Sequence, residues 1–134
     1  MTRTLLVATD FSPASLGAIR FAIQLTKQSR YSLVFFHCLT LLRPTRWSDA
    51  KFASYAEAQT EKATDTLKKM VRKLSGSAGV RNRDFEFVIV RDNDAGKAII
   101  KYVKSNRIGA ICIGTRGGGK LKKLLGTHTA TLIQ

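Results

Sequence analysis

Four short apolar runs, separated by stretches of helical periodicity, set the main constraint on how this 134-residue chain folds. They are Leu5-Leu6-Val7-Ala8, Leu33-Val34-Phe35-Phe36, Phe85 to Val90 and Ala110-Ile111-Cys112-Ile113. Three are apolar at every position, and the third alternates only imperfectly. A run without alternation suits a strand buried on both faces, the condition of a parallel sheet covered by helices on two sides.

The intervening segments supply the helices. Ser12 and Pro13 carry the chemistry of a helix start, a capping hydroxyl followed by a residue that needs no amide partner. Leu16, Ile19, Ile23 and Leu25 then recur near helical spacing up to about Arg30. The second run lies in Tyr31 to Leu42 and ends as a strand near His37-Cys38; Arg43-Pro44-Thr45-Arg46 breaks it. From about Ser48 to Leu74, Phe52, Tyr55, Ala63, Leu67, Met70, Val71 and Leu74 share a face, and Gly76-Ser77-Ala78-Gly79 is expected to end that helix. Asp92-Asn93-Asp94 offers caps for a third helix striped by Ala98, Ile99, Tyr102 and Val103. Leu132-Ile133-Gln134 read as the middle of a last helix, which leaves no fifth strand.

The predicted order is β-α-β-α-β-α-β-α in one domain spanning residues 1–134. Alternation of this kind implies a doubly wound, mostly parallel α/β sheet with right-handed crossovers. Ligands of such sheets bind beyond the carboxyl ends of the strands where strand order reverses. Thr9-Asp10 and the segment from Gly114 onward are therefore the places where a site is expected.

Charge and cysteine usage narrow the function classes. Lys and Arg total 23 against 9 Asp and Glu, a formal charge of +14. The last acidic residue is Asp94, and eight basic residues follow it. Such a field attracts phosphate, nucleic acid or an anionic membrane surface. Two cysteines exclude a disulfide scaffold, and Cys38 and Cys112 read as small core residues. Two histidines and no CxxC argue against zinc. The apolar stretch at Leu5 to Ala8 is too short for a signal-peptide core, and no run reaches the roughly 20 residues of a membrane span. A cytoplasmic protein with no membrane partner is expected.

The loop after the fourth strand runs Gly114-Thr115-Arg116-Gly117-Gly118-Gly119-Lys120-Leu121-Lys122-Lys123-Leu124-Leu125-Gly126-Thr127. Its glycines let backbone amides approach a phosphate, and Arg116, Lys120, Lys122 and Lys123 offset phosphate charge. Thr127 follows Gly126 at an expected helix start, where free amides favour an anion and where the hydroxyl is equally a plain cap. Gly114 to Lys120 also satisfies GxxxxGK. However, Leu121 stands where a P-loop needs a magnesium-binding hydroxyl, and the segment follows the fourth strand rather than the first.

The opening Val7-Ala8-Thr9-Asp10-Phe11-Ser12, the second strand Leu33 to His37, and Gly114-Thr115-Arg116-Gly117 with Gly126-Thr127 together resemble the universal stress protein family, over nearly the whole chain. The loop is similar to that family's pattern G-x2-G-x9-G-[S/T], although eight residues rather than nine separate Gly117 from Gly126. The resemblance implies a Rossmann-like fold of the adenine nucleotide alpha hydrolase-like kind. It also implies ATP, ADP or AMP in the cleft, with magnesium accompanying the phosphates. Asp10 and the backbone near Ala8 and Thr9 would sit by the nucleoside, and the main chain of Cys38 would meet the adenine edge. Ile113 and Gly114 would line base and ribose, and Arg116, Gly117, Gly126, Thr127 and His128 would hold phosphates. It further implies a homodimer, an unidentified protein partner, and a chain cut before a fifth strand or forming one half of a tandem protein.

Each residue also has a plainer reading. Asp10 is a ligand contact or a turn residue and helix cap; Gly114 and Gly117 are approach points or turn glycines. Trp47 is a lid over a site or a cover on the core. His37 and His128 have no evident catalytic partner, so no triad is expected. The expected function is a nucleotide-binding stress sensor or regulator with at most slow ATP hydrolysis. The alternatives are a dimeric interaction module of the same fold that binds no nucleotide, and non-specific nucleic-acid binding through the basic C-terminal third. The run Lys120-Leu121-Lys122-Lys123 lacks the interleaved aromatics that stack single strands, which weighs against the last.

Overall fold

The structure is a computed structural model, and it describes residues 3–28, 31–79, 85–114 and 132–133. The elements are β1 (Arg3–Ala8), α1 (Pro13–Gln28), β2 (Tyr31–Leu39), α2 (Asp49–Ala78), β3 (Phe85–Arg91), α3 (Ala95–Ser105), β4 (Ala110–Ile113) and β5 (Leu132–Ile133). The strands form one sheet in the order β3-β2-β1-β4-β5, and every pairing is parallel. β1 lies at the middle, with Val7 opposite Phe35 of β2 on one side and Cys112 of β4 on the other.

Two apolar clusters explain why the strand runs do not alternate. Leu5, Val7, Leu33, Phe35, Ala110 and Cys112 pack with Ala18, Ile19, Ala22 and Ile23 of α1 and with Leu67 and Val71 of α2. Leu6, Ala8, Phe36 and Ile111 point the other way and pack with Ala98, Ile99 and Val103 of α3. Alternate residues of a strand face opposite sides, so a sheet helix-covered on both sides requires apolar residues at every position. β3 follows the same rule: Phe85, Phe87 and Ile89 join the first cluster, Val88 and Val90 the second, and Glu86 is exposed. Its imperfect alternation marks a strand covered on both faces.

One expectation is corrected. Leu132 and Ile133 are not in a helix; they form β5 and pair with Cys112 and Ile113. Two adjacent apolar residues carry no periodicity, whereas the open edge of β4 offers backbone groups that a passing strand satisfies. As expected, α2 ends within Gly76-Ser77-Ala78-Gly79. It continues to Ala78 and is capped by Gly79, left-handed at φ 71°, whose amide donates to the Gly76 carbonyl. Left-handed backbone is where glycine carries no penalty, so the second glycine of the pair is the terminator.

Candidate functional site

Strand order reverses between β1 and β4: the chain leaves β1 for β2 on one side and returns to β4 on the other. The helices after these strands cannot both cover the same spot, and a crevice opens above the strand ends. A cleft of about 190 Å³ lies there, lined by Ala8, Thr9, Asp10, Ser12, Ala14, Ser15, Phe36, Cys38, Ala95, Ile99, Ile113 and Gly114. Of the expected site residues, Ala8, Thr9, Asp10, Cys38, Ile113 and Gly114 are brought together by this wall. Arg116, Gly117, Gly126, Thr127 and His128 lie outside the described residues.

The β1–α1 turn is held by its own polar side chains. Asp10 Oδ1 accepts the Ser12 amide at 2.9 Å, the turn role weighed for it from sequence. Ser12 caps α1, its hydroxyl accepting the Ser15 amide at 3.3 Å, and Pro13 opens the helix as expected. Ser15 and Thr9 are buried and share a hydroxyl hydrogen bond of 2.7 Å, while Ser15 Oγ also donates to the Ser12 carbonyl at 2.8 Å. Buried hydroxyls need such partners. The Ser12 hydroxyl beside Asp10, aided by the Ser12 amide and opposed by partial burial, holds the Asp10 carboxyl below its ordinary value. Asp10 therefore stands ionised at the cleft, able to accept hydrogen bonds from hydroxyl or amino groups.

The opposite wall comes from β2 and α3. Cys38 is half-buried and packs against the second cluster; its Sγ donates to the Asp92 carbonyl at 3.6 Å, and Thr40 Oγ1 donates to the same oxygen at 2.9 Å. Burial, with the nearby Asp92 charge, pushes the Cys38 thiol up. Cys112 is the buried core thiol expected, pushed up to about 11 by burial. Asp94 caps α3 by accepting the Lys97 amide at 3.1 Å, and that helix presents Ala95 and Ile99 to the cleft.

Gly114 has two reasons to be glycine. It lines the cleft, and a Cβ there would stand 3.1 Å from the Ala14 carbonyl carbon and 3.2 Å from its oxygen. Trp47 does not line the cleft; it packs edge-on against Tyr55 with Lys51 over its ring. Sequence reasoning missed Ser12, Ala14, Ser15, Phe36, Ala95 and Ile99 as lining; Phe36 and Ile99 sit in runs whose apolar character core packing already explains, and Ser12 reads as a helix cap. It left His37 without a role; the structure buries the ring and places Nδ1 2.8 Å from the Thr9 carbonyl.

A family model described as the universal stress protein family matches residues 1–134. The chain belongs to the universal stress protein family. Solved structures of the family share its fold at low identity. The universal stress protein UspA from Lactobacillus plantarum is 17% identical, with a TM-score of 0.72 over 98% of this chain and 95% of that one. A universal stress protein in complex with cAMP is 17% identical, with a TM-score of 0.63 over 98% and 94%. A family protein from Arabidopsis thaliana with AMP bound is 16% identical, with a TM-score of 0.60 over 98% and 89%. A comparison with curated proteins found no match. Together with the sheet order, these similarities identify the doubly wound, adenine nucleotide alpha hydrolase-like fold. No helix among the described residues is long and apolar enough to cross a membrane.

Proposed function

We propose that this universal stress protein binds an adenine nucleotide in the cleft between β1 and β4 and acts as a sensor or regulator through that occupancy. The observation that carries the reading is the cleft itself: an apolar slot walled by Phe36, Ile99 and Ile113, with the ionised Asp10 among its lining residues. At about 190 Å³ the slot is smaller than the roughly 300–1,000 Å³ that encloses a whole ligand, which suits one ring system with the rest running outward. Two structurally similar family members hold cAMP and AMP, which supports an adenine ring as the occupant. In this reading the main chain of Cys38 meets the base edge, Ile113 and Gly114 border base and ribose, and Asp10 accepts from the nucleoside. Arg116, Gly117, Gly126, Thr127 and His128 take the phosphates.

Turnover of ATP is at most slow in this reading. Asp10 is the single carboxylate among the described residues lining the cleft, and a carboxyl held below its ordinary value is a poor general base. No cluster of metal-ligating side chains occurs among the described residues, so magnesium enters with the nucleotide's own phosphates. A cytoplasmic homodimer acting on a protein partner completes the proposal.

Calorimetry and thermal shift with ATP, ADP, AMP and cAMP at moderate salt test it. Saturable binding is expected, weakened about tenfold by Asp10→Ala, the loss of one hydrogen bond to a charged group. Absence of heat and of any thermal shift with all four would sink the reading. A second reading, non-specific nucleic-acid binding, draws on Lys97, Lys101 and Lys104, exposed on α3 in a stretch with no acidic residue. Its mark is an affinity that falls steeply with salt.

A further inference from the structure

Phe11 is the only residue other than glycine with positive φ among the described residues, at 66°. Left-handed backbone disfavours any residue with a Cβ, and such conformations persist only where the surroundings hold them. Here the surroundings are specific. The Phe11 ring stacks on His37 with centroids 4.1 Å apart and planes 19° from parallel. The Phe11 amide donates to Thr9 Oγ1 at 3.0 Å. His37 Nδ1 lies 2.8 Å from the Thr9 carbonyl, which can only accept, so Nδ1 carries the hydrogen.

These contacts grip the chain on both sides of Asp10. On one side β2 holds the Thr9 carbonyl through the imidazole donor; on the other it holds the Phe11 ring through the imidazole face. Neither Phe11 nor His37 lines the cleft. We propose that His37 and Phe11 form a positioning clamp that fixes the Asp10 carboxylate at the cleft, where it meets the Ser12 amide and faces the ligand. This rests on the nucleotide reading of the cleft and adds to it two residues that act through Asp10. Mere packing would need neither a donor aimed at Thr9 nor a strained backbone at Phe11, since two apolar side chains across a relaxed turn would fill the same space.

The clamp is tested on the full chain with His37→Ala, His37→Asn and Phe11→Gly. The side-chain nitrogen of Asn branches from Cγ as Nδ1 does, so His37→Asn keeps the donor and removes the ring. Glycine accepts φ of 66° without strain, so Phe11→Gly removes the stack in a chain that still folds. One readout is amide hydrogen exchange at Ser12, whose proton reports the Asp10 contact; the other is AMP affinity by calorimetry. In His37→Ala and Phe11→Gly, Ser12 exchange is expected to rise about tenfold and AMP affinity to fall about tenfold, the worth of one hydrogen bond. The amides of Leu6 and Val7 should not change, and His37→Asn should exchange more slowly at Ser12 than His37→Ala. Wild-type exchange at Ser12 in both His37→Ala and Phe11→Gly overturns the clamp, as does His37→Asn exchanging as fast as His37→Ala. Failure of the wild type to bind any nucleotide removes the reading of the cleft, and exchange at Ser12 then decides the clamp by itself.

Discussion

At Gly114 one missing methyl group serves two ends. A Cβ would press on the Ala14 and Ser15 backbone, atoms that cannot yield without moving the start of α1. Gly114→Ala should therefore cost about 1–3 kcal/mol, the usual range for overpacking, measured by urea unfolding. The same glycine was legible in sequence as a place of close approach. What approaches it was not, because the Ala14 contact arises only when β4 pairs beside β1. Asp10 was legible in the same partial way. Its position at a strand end marked it, but its two sequence readings used the same residue types, and only the coordinates show it serving the turn while Ser12 caps the helix. The turn role has a pH signature. The Ser12 hydroxyl and amide keep the folded carboxyl below 3.8, so Asp10 contributes stability at pH above that value. That contribution is lost as pH falls through the lower folded value. Asp10 is exposed, so the effect is small. Asp10→Asn should give a stability profile flatter than wild type below about pH 4, read from thermal midpoints across an acid series.

Helix starts and helix ends are marked in different ways, and the reason is chemical. A start is announced by a side chain that accepts from the next turn: Ser48 accepts the Lys51 amide at 3.1 Å and Asp94 the Lys97 amide at 3.1 Å, both at positions their sequence context predicts. An end is announced by backbone conformation, which two neighbouring glycines leave open until one is seen at φ 71°. The two ends of α2 therefore make a paired prediction. Ser48→Ala should cost about 1 kcal/mol for a lost cap, and Gly79→Ala about 1 kcal/mol for a Cβ in left-handed backbone. Gly76→Ala, inside the helix with open space around its Cβ, should stabilise by about 0.5–1 kcal/mol. Denaturant midpoints of the three variants order them, and a destabilised Gly76→Ala would show that helix propensity is not what governs that position. β5 marks the opposite limit. Nothing local distinguishes Leu132-Ile133 as strand, and its pairing is a property of the β4 edge.

Across the whole molecule the sheet divides the interior into two clusters with different duties. Leu67 of α2 is fully buried on the α1–α2 side, remote from the cleft lining. Ile99 of α3 is buried on the other side, where it is both core and cleft wall. Either residue cut to alanine should cost about 2–5 kcal/mol, from lost transfer free energy and the cavity left behind. The sheet lies between the two sites and they share no cluster, so the double variant should lose the sum of the single losses to within about 0.5 kcal/mol. The variants should part company once ligand is added. A ligand that binds only the folded state raises stability by an amount set by its affinity, so the thermal shift produced by saturating AMP reports the cleft separately from the core. Leu67→Ala should unfold at lower temperature yet keep the wild-type AMP shift. Ile99→Ala should lose much of that shift, because Ile99 lines the slot. Equal AMP shifts in both variants would mean that the apolar wall contributed by α3 does not touch the ligand, and the occupant would then have to be held by the strand ends and the β1–α1 turn alone.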